Sequence, residues 1–238
     1  MRPNGHKILI TGGGRGIGRA LGDCFASQGN ELIIVGRNRP ADLPPHMLFI
    51  GCDLADANAR SALIEEIKEN HSDLSVLINN AGMQHEGRFG ETWHYADYAP
   101  EMATNMDAVV DLSDGLLPLL KAKPEAAIVN ISSALAIQPK QDAPIYCASK
   151  AFIRSFSKCL RYQLQDTCIR VIDVVPPLVD TDMTRGRGSG KISAETLAAL
   201  FWRAWCRDKT DIYIGKAGIL NMINRLSPRL AARIVRHG

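Results

Sequence analysis

Tyr146 and Lys150, in the run "YCASK", stand four residues apart, so on a helix their side chains share one face. A free phenol has a pKa of about 10, and a neighbouring cation favours the phenolate and lowers that value. The spacing therefore predicts that Tyr146 is a usable proton donor and acceptor near neutral pH. A second stretch, "TGGGRGIG" from Thr11 to Gly18, follows the short apolar run 7–10 and is poor core material. Glycine tolerates positive φ and lets backbone approach a ligand closely, and a helix starting just beyond would present free N–H groups and a positive dipole end. Such a loop suits a dinucleotide pyrophosphate; taken alone it is also simply a tight turn from strand to helix.

The elements that must hold these residues are legible as alternating patterns. Short β-branched or apolar runs at 7–10, 31–35, 47–52, 74–79, 126–131, 169–175 and 211–214 read as strands. Helical spacing separates them, as in Ile17, Leu21, Cys24 and Phe25, or Leu63, Ile64 and Ile67. Strand and helix in alternation predict an α/β fold: a Rossmann-type, doubly wound, mainly parallel seven-stranded sheet with helices on both faces. Two long helices are expected at 100–121, with Pro118 near its end, and at 145–166. With 238 residues, 46% of them hydrophobic, one domain over 1–238 can bury a sizeable core.

Three further motifs fall in register: "NNAG" (Asn79 to Gly82), "NISS" (Asn130 to Ser133) and the tyrosine run itself. Together with the glycine loop they resemble the short-chain dehydrogenase/reductase family, in the type with Thr-Gly-x-x-x-Gly-x-Gly, over nearly the whole chain. The resemblance implies a catalytic set of Asn105, Ser133, Tyr146 and Lys150. Ser133 would hydrogen-bond the substrate carbonyl, Lys150 would also hold the nicotinamide ribose, and Asn105 would hold a water that relays protons to the lysine. Ser132, its strand neighbour, would point the other way. The implied cofactor contacts are Gly12, Gly14, Arg15, Gly16, Ile17 and Gly18 in the loop, Arg37 after the second strand and Asp53 with Leu54 after the third. They continue with Asn80, Ala81 and Gly82, then Tyr146 and Lys150, and lastly Pro176, Val179 and Thr181. Asn80 reads as mainly structural; a solvated or helix-capping carboxylate is the less favoured reading of Asp53, and a helix-distorting residue satisfied by backbone the less favoured reading of Asn105.

An NAD-selective dinucleotide fold places a carboxylate at the C-terminal end of the second strand, on the ribose 2′-OH. Here that position is Gly36, followed by Arg37, while Glu31 lies at the opposite end of the strand. With Arg15 and Arg39 nearby the pocket reads as positive, which favours NADPH/NADP over NADH. The family's Pro-Gly after the sixth strand is Pro176-Pro177 here, a change that fixes φ and removes an N–H. The run "PPLVDTDM" and the C-terminal tail are similar to a bacterial subgroup of DltE-type oxidoreductases. Substrate selectivity is expected from the loop after Ser133, from "MQHEGRF" and from "TRGRGSGK", with 183–191 as a mobile loop; His85 and Gln138 could line the pocket, but the favoured reading of His85 is an ordinary exposed loop histidine.

Composition narrows the rest. No apolar stretch reaches the roughly 18 residues of a membrane span, the N-terminus is not a secretory signal, and the reading is a cytoplasmic protein. Cys24, Cys52, Cys147, Cys159, Cys168 and Cys206 show no CxxC or Cys/His spacing, so neither disulfides nor a metal is expected. From Arg185 onward eleven basic residues face three acidic ones. In that tail Leu226, Leu230 and Ile234 recur every fourth residue beside Arg225, Arg229, Arg233 and Arg236. The preferred reading docks this stripe on the protein's own core, with a membrane surface the less favoured one. The expected partners are a small carbonyl or alcohol substrate and copies of the same chain, in a homodimer or homotetramer, and no nucleic acid. The function expected is NADPH-dependent reduction of an aldehyde or ketone, or the reverse; the competing readings are an NADP(H)-binding sensor with little turnover and an epimerase or dehydratase.

Overall fold

The computed structural model describes residues 1–91 and 94–236. Seven strands form one sheet in the order β3-β2-β1-β4-β5-β6-β7, every neighbouring pair parallel. They are β1 (Lys7–Thr11), β2 (Glu31–Gly36), β3 (Leu48–Gly51), β4 (Leu74–Asn79), β5 (Ala126–Ile131), β6 (Ile169–Val175) and β7 (Asp211–Tyr213). The central strands β4 and β5 are buried at every residue, which is why they read as unbroken apolar runs rather than as alternation.

Each face of the sheet has its own core. On one, α1 (Gly16–Ala26) and α7 (Ala194–Trp205) pack Phe25 against Phe201 and Trp205, with ring centroids 5.9 and 5.2 Å apart. On the other, α2 (Ala57–Asn70), α4 (Ala108–Gly115) and α6 (Pro144–Gln163) bring together Leu63, Ile67, Leu112 and Leu160. Full burial of side chains such as Phe25 and Phe201 stabilises by roughly 1.5–3 kcal/mol each. Chain order reverses between β1 and β4, so their carboxyl ends open a crevice at the point where α/β sheets bind ligands.

Two expectations are corrected. The helix anticipated over 100–121 is instead α3 (Tyr95–Met102), a π-helical turn at Ala103–Asp107, α4, and a separate α5 (Leu117–Lys121). Pro118 sits in the first turn of α5, where its missing N–H costs nothing, so it begins a helix rather than ending one. The C-terminal stripe is likewise not docked on the core: Leu226, Leu230 and Ile234 are 81%, 48% and 55% exposed. Ser227 and Pro228 divide the segment into α8 (Lys216–Leu226) and α9 (Pro228–Val235), so the four-residue spacing does not describe one helix, and α9 buries Ala231 instead.

Candidate active site

A cavity of about 1450 Å³ opens at the carboxyl ends of the strands. A single-ligand pocket is commonly 300–1,000 Å³, so this one has room for a dinucleotide and a second molecule. Its walls include Gly12, Gly14, Arg15, Gly16, Ile17, Arg37, Asp53, Leu54, Asn80, Ala81 and Gly82. On the far side they continue through Ser133, Tyr146, Lys150, Pro176, Val179 and Thr181. Asn105 and Gly18 lie behind this surface.

The glycine cradle is dictated by contacts a side chain would break. Gly12 and Gly16 adopt φ +64° and +55°, and a Cβ on Gly18 would fall 2.4 Å from both the Gly12 carbonyl oxygen and the Asn80 amide nitrogen. Asn80 stitches the loop in place by donating to the Thr11 and Gly12 carbonyls at 2.9 and 3.2 Å. Thr11 Oγ1 in turn accepts from the Asn80 and Ala81 N–H groups, each at 3.0 Å. No side chain caps the start of α1, and its first turn has no acid, so its N–H groups and dipole are available to a phosphate. The residues present therefore fit a dinucleotide.

Arg15 pairs with Asp182, and Arg19 with Asp23 and Asp42. Arg37 is exposed beside the cavity and has no ion pair among the described residues. Glu31 is tied to Lys7 at the opposite end of the strand. Asp53 uses Oδ1 to accept the Ala55 N–H at 3.0 Å.

Ser133 follows β5, and Tyr146 and Lys150 rise from the first turns of α6, so one sheet end and one helix bring the three together. The Ser133 hydroxyl accepts the Leu135 N–H at 3.1 Å and lies near enough to the Tyr146 phenol to favour its phenolate. Ser132 turns away and donates to the Val174 carbonyl at 3.0 Å. Lys150 Nζ donates to the Ile131 carbonyl at 2.8 Å and lies 5.6 Å from the centre of the Tyr146 ring.

The electrostatics correct the expectation of a lowered phenol. Desolvation in the cavity wall pushes Tyr146 up to about 12, and the Ser133 hydroxyl only partly opposes it. The same desolvation brings Lys150 down to about 8, against the opposing pull of Asp173 and Glu101. Tyr146 is thus a neutral acid at pH 7, the form that can donate a proton.

Asn105 lies in the π-helical turn, where its amide accepts the Met83 N–H at 2.8 Å and donates to the Met83 carbonyl and the Ser149 hydroxyl at 2.9 and 3.1 Å. A Cβ on Gly82 would lie 3.4 Å from Asn105 Oδ1 and 3.6 Å from Lys150 Nζ, so both polar groups crowd the same glycine.

Sequence reasoning missed Glu101, which is fully buried and accepts from the His85 N–H and ring Nδ1, each at 3.0 Å. Burial raises its carboxyl, and its Oε1 has no partner. Nothing in a helical "PEM" run signals this, because the partner comes from a distant loop. Gln138 donates to Asn224 on α8 at 2.6 Å. The glycine-rich loop is pinned at its base, where Val179 bridges Ile192 and Asp180 N–H donates to the Ile192 carbonyl at 2.8 Å.

The short chain dehydrogenase family matches residues 6–191, and the chain belongs to that family of oxidoreductases, which act on CH–OH and C=O groups with NAD(P). The uncharacterized oxidoreductase DltE of Bacillus subtilis is 42% identical over 192 residues, covering 78% of this chain and 76% of its own length. Sulfoacetaldehyde reductase 2 of Chromohalobacter salexigens is 33% identical over 196 residues, 79% of this chain and 78% of its own length. Among solved structures, a short chain dehydrogenase from Burkholderia cenocepacia in complex with NADP superposes with a TM-score of 0.88 at 24% identity, over 99% of both chains. No helix among the described residues is long and apolar enough to cross a membrane. The described residues also hold no cluster able to ligate a metal, and all six cysteines are free.

Proposed function

We propose that the protein is an NADPH-dependent reductase of a small aldehyde or ketone, working through Ser133, Tyr146, Lys150 and Asn105. The observation that carries this reading is the convergence of the Ser133 hydroxyl, the Tyr146 phenol and the Lys150 amine at the floor of a cavity whose other half is the glycine cradle. The 33% identical relative is named for the reduction of an aldehyde, which supports the reductive direction.

The bound dinucleotide would supply the hydride. Gly12 to Gly18 and the start of α1 would hold its pyrophosphate, and Arg37 the 2′-phosphate. Ser133 and Tyr146 would grip the substrate oxygen and fix the carbonyl carbon for attack. A phenol held at about 12 is protonated at pH 7, so Tyr146 donates its proton as the oxygen becomes an alkoxide. Lys150 would hold the ribose and, through its charge, stabilise the phenolate left behind. Asn105 fixes the Met83 backbone and so shapes the wall beside Lys150.

Tyr146→Phe is the direct test, because the ring still packs while the proton donor is gone. Turnover is expected to fall at least about a hundredfold with NADPH binding retained. Reduction by that variant at the wild-type rate would remove Tyr146 from the chemistry. A sensor with little turnover would instead show NADPH binding and no reduction in the wild type.

A further inference from the structure

Three loops that do not touch in sequence meet over the substrate half of the cavity. Glu86 follows β4, Lys140 follows the Ser133 loop, and Arg187 lies in the glycine-rich segment after β6. Glu86 Oε1 accepts a hydrogen bond from Lys140 Nζ and another from Gln84 at 3.1 Å. Arg187 Nη1 comes to 3.4 Å from the same oxygen, within charge reach but not aligned to donate to it. That nitrogen is buried and has no hydrogen-bond acceptor. Lys140 and Arg187 line the cavity while Glu86 stands behind them, so one carboxylate balances only one of two cations. Arg187 is also close enough to Tyr146 for its charge to oppose the rise of the phenol.

A buried guanidinium N–H without an acceptor is costly unless something supplies one, and carboxylates, sulfonates and phosphates match its geometry. We propose that Arg187, backed by Lys140, is the specificity residue for an anionic group on the substrate, so that the enzyme reduces oxoacids: aldehydes or ketones that also carry a carboxylate, sulfonate or phosphate. This rests on the reading of Ser133, Tyr146 and Lys150 as the carbonyl site. The carbonyl carbon takes a hydride from NADPH and the oxygen a proton from Tyr146, giving the hydroxy acid and NADP⁺. The anion itself stays unreacted and serves to orient the carbonyl. Ile219, Leu220 and Ile223 of α8 add apolar lining to the same cavity, which Lys216 also lines.

The test compares 4-oxobutanoate with its methyl ester, two aldehydes that differ in the charge. Wild-type kcat/KM is expected to favour the acid at least tenfold, and Arg187→Gln is expected to reduce that ratio about tenfold, with Arg187→Lys retaining part of it. A ratio near one in the wild type, or a ratio unchanged in Arg187→Gln, overturns the proposal. An arm without turnover keeps the two readings apart: succinate and 3-sulfopropanoate are titrated calorimetrically into the protein saturated with NADP⁺. Binding of either that weakens about tenfold in Arg187→Gln supports the anion site; no binding, or equal binding to both proteins, overturns it. Failure to reduce either aldehyde counts against the catalytic reading, and the titration then decides the anion site by itself.

Discussion

At the scale of single residues, cofactor choice turns on Gly36 and Arg37. A side chain at Gly36 meets nothing closer than Phe49 at 3.8 Å, and its φ is not in the left-handed region, so the position accepts an aspartate without strain. NADPH is expected to bind more tightly than NADH by roughly 1.5–3 kcal/mol, about ten- to a hundredfold. Gly36→Asp with Arg37→Ser should reverse that order, since the carboxylate repels the phosphate and accepts the free 2′-OH. Calorimetric titration of both cofactors into both proteins measures it, and equal wild-type affinities would reduce Arg37 to surface charge. Lys150 carries a different prediction. A lysine held at about 8 in the fold, against 10.5 unfolded, binds fewer protons folded than unfolded between those pH values. Its burial therefore destabilises the protein fully below pH 8, by roughly 3 kcal/mol, and the penalty fades as pH rises toward 10.5. Lys150→Met is expected to melt several degrees above wild type at pH 7, with the gap narrowing at pH 9–10. A lower melting temperature at pH 7 would show that the Ile131 hydrogen bond outweighs the buried charge.

At the scale of elements, α1 can begin where it does only because Gly18 lets the helix lie against the loop that precedes it. The Cβ of an alanine would sit 2.4 Å from the Gly12 carbonyl oxygen, a backbone atom that cannot move without displacing the cradle. Gly18→Ala is expected to destabilise by about 1–3 kcal/mol and to weaken NADPH binding at least tenfold. Melting curves with and without NADPH read both effects; unchanged affinity would mean that the loop moves freely. The π-helical turn at Ala103–Asp107 shows the opposite case, a distortion fixed from outside the element. Asn105 exchanges two hydrogen bonds with the Met83 backbone, and this tertiary bond holds the widened turn.

At the scale of the whole molecule, the basic C-terminal segment leaves Ile219, Met222, Leu226, Leu230 and Ile234 exposed. Exposed apolar patches of this kind are common where soluble chains meet partners. We propose that the chain forms a dimer or tetramer, and light scattering at micromolar concentration is expected to give two or four times the 26.0 kDa of one chain. A mass of one chain throughout that range would refute self-association.

All seven strands and the parallel sheet followed from local pattern, because a parallel sheet buries its strands on both faces and their sequences become unbroken apolar runs. The tyrosine and lysine were legible for a similar reason: a four-residue spacing places two side chains on one helical face whatever lies around them. The glycine loop was legible because no other residue tolerates its backbone and its close contacts. Sequence pattern did not reach the breaks at Ala103–Asp107 and at Ser227–Pro228, the exposure of Leu226, or the pairing of Glu101 with His85. It also gave the wrong direction for the Tyr146 phenol, since spacing reveals the neighbouring cation but not the water that burial removes. Hydrophobic period and backbone freedom are properties of neighbours along the chain, whereas desolvation, the meeting of Glu86, Lys140 and Arg187, and the charge left over among them depend on segments far apart in sequence that only the folded sheet brings within a few ångströms.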